Sequence, residues 1–159
     1  MSTLINNTEL REIALGRYVQ GQTSDVTTDA DSTYQLFTVT GGQVLITALW
    51  GVVTTSITGA STWAIVLDPT TGDSSTIVTA TDLGTTDTVA GTVLGFRDQG
   101  DGTTDFADNG QALAGYVVPV GEIELLVATG TADGIVDWYC TYVPLTAGAS
   151  VAAATGAPS

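Results

Sequence analysis

Four aspartates crowd one stretch of the sequence and are its densest group of side chains able to bind a metal. Asp98, Asp101, Asp105 and Asp108 alternate with glycine and threonine, and oxygen-only clusters in glycine-containing loops are what Ca²⁺ requires. An EF-hand loop needs ligands at alternate positions and a terminal glutamate, and this segment lacks both at the required offsets. We therefore expect a solvated acidic loop without a metal, with a calcium site as the alternative.

A second acidic feature is the pair Glu122 and Glu124 in a predicted strand. Residues two apart on a strand project from the same face, with α carbons about 6.6 Å apart. Paired carboxylates can hydrolyse glycosides without histidine, but a catalytic pair normally lies across a cleft. We expect these two side chains to lie on a solvated strand face, and we expect no catalytic residue.

The charge balance excludes most other functions. Seventeen acidic residues face three arginines, and the absence of lysine and histidine leaves a net charge of -14. Without histidine or lysine there is no Ser-His-Asp or Cys-His nucleophile system and no Schiff base. So acidic a surface repels phosphate backbones and anionic membranes, and no apolar run approaches the roughly 20 residues of a membrane span. We expect a soluble, unsecreted, non-enzymatic protein with no cofactor and with neither nucleic acid nor membrane as partner.

The elements that must position these residues are strands. From Ser32 onward, runs with period-2 alternation are separated by glycine and proline turns, which predicts an all-β fold: an antiparallel β-sandwich or jelly-roll-like single domain over residues 32–145. Residues 1–31 are predicted to be an extended N-terminal arm, with a short helix from Thr8 and a frayed, solvated terminus as the alternatives. Residues 97–111 are predicted to be a loop, and residues 146–159 a flexible, low-complexity C-terminal tail.

The predicted strand over residues 43–54 is apolar on both faces. One face carries Val44, Ile46, Ala48, Trp50 and Val52, and the other carries Leu45, Leu49 and Val53. A strand apolar on both sides must be covered on both, so one face should contact the arm or another subunit. The arm holds two of the three positive charges, which suits docking on an acidic neighbour. The predicted interface residues are Arg11, Arg17, Leu45, Leu49 and Val53.

Aromatic residues and the single cysteine are predicted to be mostly structural. Trp50, Trp63 and Trp138 lie within predicted strands, where core packing or a subunit contact is expected and a ligand platform is the alternative. Cys140 has no partner for a disulfide and is expected to be a small buried hydrophobe.

Several runs along the chain are together similar to one class of protein. They are Leu36-Phe37-Thr38-Val39-Thr40-Gly41-Gly42-Gln43-Val44-Leu45-Ile46, then Val52-Val53-Thr54-Thr55, Pro69-Thr70-Thr71-Gly72, Val117-Val118-Pro119-Val120-Gly121-Glu122-Ile123, Asp137-Trp138 and Tyr142-Val143-Pro144-Leu145. In this order, over about residues 34 to 145, they resemble small structural proteins of tailed bacteriophages, which occur as head decoration (cement) or tail-associated proteins. The arm and the tail lie outside the resemblance.

The resemblance implies a β-sandwich that binds the outside of an assembled capsid, often as a homotrimer at three-fold or quasi-three-fold positions. Its partner would be the major capsid protein, its location the outer capsid surface of the virion, and its task to stabilise the shell against internal DNA pressure. No catalytic residue is implied. One alternative is a tail tube or tail-tip structural protein. A further alternative, from another class, is a carbohydrate-binding module that uses exposed aromatics and the aspartate-rich loop.

Overall fold

The computed structural model of the chain describes residues 6–22, 32–100, 102–130 and 133–154. In these ranges one helix and eleven strands follow one another along the sequence. They are α1 (Asn7–Leu15), β1 (Arg17–Gln22), β2 (Ser32–Thr40), β3 (Val44–Thr55), β4 (Ser61–Pro69), β5 (Ser75–Leu83), β6 (Val93–Asp98), β7 (Thr104–Asp108), β8 (Tyr116–Val118), β9 (Gly121–Gly130), β10 (Ile135–Pro144) and β11 (Ser150–Ala153).

The strands form two antiparallel sheets. Sheet A has the order β1-β10-β3-β6-β7, with β8 also paired to β3, and sheet B has the order β11-β2-β9-β4-β5. Eight of the strands, β1 to β6 with β9 and β10, can be renumbered one to eight in chain order, leaving out β7, β8 and β11. Sheet A then has the order 1-8-3-6 and sheet B the order 2-7-4-5. This is the strand order of an eight-stranded jelly roll. The all-β prediction is confirmed, and of its two forms the strand order matches the jelly roll.

The hydrophobic core fills the space between the two sheets. Trp63 and Ile65 from sheet B and Trp138 from sheet A are completely buried there, as their alternation with outward-facing neighbours predicts. Cys140 lies beside them, and burial raises the pKa of its thiol to about 12. The predictions of core tryptophans at 63 and 138 and of a buried cysteine are confirmed.

A β-bulge in β3 overturns part of the predicted interface. Along β10, Thr141 pairs with Ala48 whereas Tyr142 pairs with Ile46, so Thr47 is an extra residue in the ladder. One extra residue exchanges the faces of everything that follows it.

The bulge moves two of the predicted interface residues into the core. Before the bulge, Val44 and Ile46 point between the sheets. After it, Leu49 and Val53 do so, and each of these two is 1% exposed. The assignment of Leu49 and Val53 to an outward face was therefore wrong. Leu45 lies on the outer face of sheet A, opposite Val143 and Val117.

The predicted aspartate-rich loop is in fact a hairpin. Residues 97–111 include β7, which pairs with β6 so that Arg97 lies opposite Asp105. Phe106 is 5% exposed, and its ring centroid lies 5.3 Å from that of Phe96. The loop prediction was wrong because β7 is a short edge strand, polar except for Phe106 and Ala107. The preceding strand, β6, begins at Val93, after a turn that contains Gly91 with φ +92°.

Both ends of the described chain belong to the sandwich, which corrects the predicted domain boundaries. In the predicted arm, β1 pairs along β10 and residues 7–15 form the helix. In the predicted tail, β11 pairs with β2, placing Val151 opposite Val39. Both strands are short and rich in polar or small residues, so their sequence pattern is weak. Residues 1–5, 23–31 and 155–159 of the predicted arm and tail lie outside the described residues.

Candidate interaction surface

The outer face of sheet B is acidic. Asp68 lies directly opposite Glu122, and Glu122 accepts a hydrogen bond of 2.8 Å from Thr38 Oγ1. Partial burial, together with the charges of Asp68 and Glu122, raises the pKa of Glu124. Glu122 and Glu124 project from one strand face as predicted, and they lie on an open sheet surface among like charges. The strands of sheet B contain no arginine in the described part of the chain.

The outer face of sheet A is apolar and nearly uncharged over the strands β1, β10 and β3. Across β1, β10 and β3 the only charged residues are Arg17 and Asp137. The outward, partly exposed apolar side chains of β3 and β10 are Leu45, Trp50, Val52, Tyr139 and Val143. The outer face of sheet B thus carries carboxylates, whereas the part of sheet A formed by β1, β10 and β3 carries mainly hydrophobic side chains.

Three aromatic rings form a row across the strands of sheet A. Trp50 and Tyr139 have ring centroids 5.4 Å apart and planes 13° apart, and Tyr139 and Tyr18 are separated by 6.1 Å and 27°. These spacings are close to the separation of adjacent strands, about 4.8 Å, so neighbouring rings turn their faces toward each other. Trp50 therefore lies outside the core, in contrast to Trp63 and Trp138.

Asp137 is the carboxylate of this face. Its Oδ1 is buried without a hydrogen-bond partner among the described residues. Tyr18, on the neighbouring strand, has a raised pKa because of burial, with the Tyr139 hydroxyl and the Asp137 carboxylate as further causes. A buried acceptor without a donor is unfavourable, so Asp137 lowers the stability of this part of the sheet.

Helix α1 stands beside this face with its apolar side uncovered. A capping box fixes its start: Asn6 Oδ1 accepts from the Glu9 N–H, and Glu9 Oε2 accepts from the Asn6 N–H, both at 2.9 Å. No residue of α1 is buried. Leu10 is 54% exposed, Ile13 74% and Leu15 60%.

The C-terminal end of α1 is fixed to sheet A. Thr47 Oγ1, on the bulge of β3, donates to the Leu15 carbonyl at 3.0 Å. Gly16, with φ +85°, ends the helix, and a Cβ at this position would lie 2.6 Å from the Tyr142 carbonyl oxygen. Only glycine allows this close approach at a positive φ, so the base of α1 is held directly over β3 and β10.

A groove of about 370 Å³ separates α1 from the sheet, and we call it the helix groove. Its lining includes Ile13, Leu15, Ala48, Trp50, Thr141 and Val143. A second depression of about 390 Å³ lies between α1 and the end of β10, and its lining includes Glu9, Glu12, Arg17 and Pro144. Ile13 borders both, so the helix has open space along both sides.

The predicted site residues thus divide into two groups. Arg11 lies on exposed α1 and Arg17 at the start of β1, and neither forms an ion pair within the described residues. Leu45 shares the apolar face with them, whereas Leu49 and Val53 lie in the core. The sequence prediction missed Leu10, Ile13, Tyr18 and Tyr139. For Leu10 and Ile13 the available signal was the Asn6 to Glu9 spacing, which is typical of a capping box at the start of a helix.

The aspartates of the β6–β7 hairpin have separate structural roles. Asp98 Oδ1 accepts from the Gly100 N–H at 2.8 Å, and Asp105 accepts from Thr79 Oγ1, which connects the two sheets. Asp108 is exposed, and Asp101 lies outside the described residues. Within the described ranges, no three acidic, histidine or cysteine side chains form a group that could hold a metal.

Asp133 is a structural carboxylate that the sequence analysis did not single out. It accepts from the N–H groups of Thr58 and Gly59, both at 2.7 Å, and from the Thr58 hydroxyl. Burial alone would raise the pKa of Asp133, but these hydrogen bonds outweigh it and lower the pKa. The contact joins the β3–β4 connection to the β9–β10 connection.

Comparison of the chain with protein-family models, with curated protein sequences and with solved structures finds no match. Among the helices of the described part, none combines the length and apolar character needed to cross a membrane. The geometry above and the sequence resemblance are therefore the basis for a functional proposal.

Proposed function

We propose that this chain is a non-enzymatic structural protein of a tailed-bacteriophage virion, which binds the outside of the capsid shell as a decoration protein and stabilises it. Its partners are the major capsid protein and further copies of itself, arranged as a homotrimer. The observation that carries the proposal is the division of charge between the two outer faces of the sandwich. Sheet B presents Asp68, Glu122 and Glu124, whereas the central strands of sheet A present an apolar surface.

This division suits a protein that covers a large particle. Burying the outer face of sheet A removes hydrophobic area from water and desolvates few charges, so association is favourable. The acidic face then points to solvent, where charge of one sign keeps particles apart. Copies of a chain with a net charge of -14 repel each other. The nearly uncharged outer face of β1, β10 and β3 allows them to bind side by side on a particle.

The use of the acidic residues also supports a structural role. Asp105 joins β7 to β5, Asp133 joins two connections at one end of the sandwich, and Asp98 holds a turn. In the ring row, stacking covers both faces of Tyr139 and one face each of Trp50 and Tyr18. A sugar stacks on an open aromatic face, so this arrangement favours a protein contact over a carbohydrate platform.

Particles that lack this protein, mixed with the purified full chain, provide the test. We expect saturable binding at hundreds of copies per head, counted by mass analysis and located by cryo-electron microscopy, and a higher temperature of DNA release. Tens of copies on the tail would identify the tail component instead. Failure to bind any part of the virion would contradict the proposal.

Two leucines provide matched variants for this test. Leu45 lies on the outer face of sheet A, and Leu126, 37% exposed, lies on that of sheet B. Leu45→Glu should fold and lose particle binding, whereas Leu126→Glu should bind as the unchanged protein does. Loss of binding only in the Leu126 variant would mean that the sandwich docks through the acidic face.

A further inference from the structure

Asn109 and Gly110 form the turn that follows β7, and they are the one Asn-Gly pair in the sequence. The Asn109 side chain is exposed, and its amide forms no hydrogen bond within the described residues. Among the described residues other than glycine, Asn109 alone has a positive φ, +54°, a conformation that asparagine adopts more readily than most residues. Its amide is therefore free to react with the main chain beside it.

The reaction open to this pair is the formation of a succinimide. The Gly110 nitrogen attacks Cγ of Asn109, a bond forms between these two atoms, and the bond from Cγ to Nδ2 breaks, so that ammonia leaves with the proton of the Gly110 nitrogen. Water then opens the ring at either carbonyl. One opening leaves aspartate, and the other leaves isoaspartate, in which the main chain runs through Cβ and Cγ. Glycine hinders the attack least, because it has no Cβ.

The fold holds the attacking nitrogen in a hydrogen bond. The Gly110 N–H donates to the Ala107 carbonyl at 3.1 Å, and the Asn109 N–H donates to the Val93 carbonyl at 2.7 Å. The attack therefore requires the turn to open. Turns at a sheet margin open locally with a free energy well below that of global unfolding, and β7 is a five-residue edge strand. The folded protein should react more slowly than the unfolded chain, but it should react.

The two products differ in their effect on the fold. Just after the turn, Phe96 and Gln111 exchange main-chain hydrogen bonds of 2.7 and 3.0 Å. Here a Cβ on Gly95 would lie 2.3 Å from the Gly110 carbonyl oxygen, so the two main chains are in close contact. Isoaspartate adds one atom to the main chain directly before this contact, which has no space for it. Aspartate leaves the main chain unchanged and adds a charge beside Asp108.

We infer that Asn109 is a site of spontaneous deamidation in the folded protein, and that its isoaspartate product loosens the β6–β7 hairpin. This hairpin carries contacts between the two sheets: Thr79 Oγ1 donates to Asp105, and the Phe106 N–H donates to Thr81 Oγ1 at 3.1 Å. Deamidation therefore weakens this margin of the sandwich. The inference does not depend on the proposed function.

The test follows the purified full-length chain during prolonged incubation at neutral and mildly alkaline pH, both folded and in urea. Peptide mapping by mass spectrometry measures conversion at each asparagine of the chain, Asn6, Asn7 and Asn109, and enzymatic methylation measures isoaspartate. Asn6 and Asn7 are internal controls, because each is followed by a residue with a Cβ. In the folded protein Asn109 should convert roughly tenfold faster than either control. Its rate should rise with pH, since the attacking nitrogen must lose its proton.

Two variants separate the steps of the argument. Asn109→Gly is the matched control, because glycine accepts a φ of +54° and has no amide to lose. After incubation, the isoaspartate fraction of the unchanged protein should melt a few degrees lower, with faster amide hydrogen exchange over β6 and β7, whereas Asn109→Gly should keep its initial Tm. Freshly prepared Asn109→Asp has the added charge without the added main-chain atom, and its Tm should stay near that of the unchanged protein.

Three results would overturn the inference. An Asn109 that keeps its amide in the folded protein while it converts in urea, or that converts no faster than Asn6 and Asn7, would show that the turn is not a deamidation site. An equal loss of Tm in incubated Asn109→Gly would show that the weakening arises elsewhere. A fresh Asn109→Asp variant as unstable as the isoaspartate fraction would assign the effect to charge and not to the main chain.

Discussion

The bulge at Thr47 makes opposite predictions for two leucines four residues apart. Leu49 is 1% exposed and packs between the sheets, whereas Leu45 lies on the outer face of sheet A. Truncating a fully buried leucine to alanine costs about 3 to 5 kcal/mol, because the transfer free energy is lost and a cavity remains. For Leu45→Ala the expected cost is about 1 kcal/mol, since the side chain is only half-buried on the outer face and its truncation leaves no enclosed cavity.

Urea unfolding followed by tryptophan fluorescence measures both costs, and thermal unfolding provides a second estimate. At this chain length about 1 kcal/mol corresponds to 2 to 4 °C, so Leu49→Ala should lower Tm by roughly 6 to 20 °C and Leu45→Ala by a few degrees. Without a bulge, period-2 alternation from Leu45 would place the two leucines on the same face. Equal losses of stability, or a larger loss for Leu45→Ala, would refute the bulge and the assignment of the outer face.

Three further predictions concern titratable groups. Hydrogen bonds lower the pKa of Asp133, so the stability that it contributes is present above its unfolded-state pKa and is lost as pH falls through the lower folded-state pKa. Asp133→Asn should therefore cost about 1 kcal/mol at neutral pH and nothing in strong acid. Urea titrations at several pH values measure this difference. For Glu124 the pKa is raised, so the folded state binds the proton more tightly, and stability falls as pH rises from the unfolded-state pKa through the higher folded-state pKa. Glu124→Gln should remove this fall and increase the free energy of unfolding by under about 1 kcal/mol at neutral pH. A variant that is less stable than the unchanged protein would contradict this prediction. Because burial raises the pKa of Cys140 to about 12, a thiol reagent should label native protein only at the rate of opening, and prompt labelling would show that the thiol is accessible.

The fold class could be predicted from sequence because its signals are local. The alternation of Trp63, Ile65 and Leu67 with smaller or outward residues, and the glycine and proline turns between strands, indicate a sandwich without knowledge of pairing. The predicted core tryptophans and Cys140 lie where that alternation places them. Strand order depends on contacts between distant residues, so the sequence left the sandwich and jelly-roll forms open.

The candidate surface was harder to predict because it depends on register. A single extra residue, Thr47, decides which leucines of β3 face outward, and nothing in its side chain marks it as a bulge. The strands β1 and β11 are polar or small, and their place in the sheets comes from pairing with β10 and β2. Propensity alone assigned β1 to an extended arm and β11 to a flexible tail. The helix could have been placed from the Asn6 and Glu9 capping pattern, but its open apolar side follows only from the tertiary structure.

The arrangement of the sheet margins has a consequence for behaviour at high concentration. The outermost strands are β1 and β7 in sheet A and β11 and β5 in sheet B. In space β1 lies against β11, and β7 lies against β5 through the bonds from Thr79 to Asp105 and from the Phe106 N–H to Thr81. Each margin is therefore partly screened by another, which hinders strand addition by a foreign chain and the growth of cross-β fibrils. A protein built this way is expected to resist aggregation through strand pairing when it is concentrated.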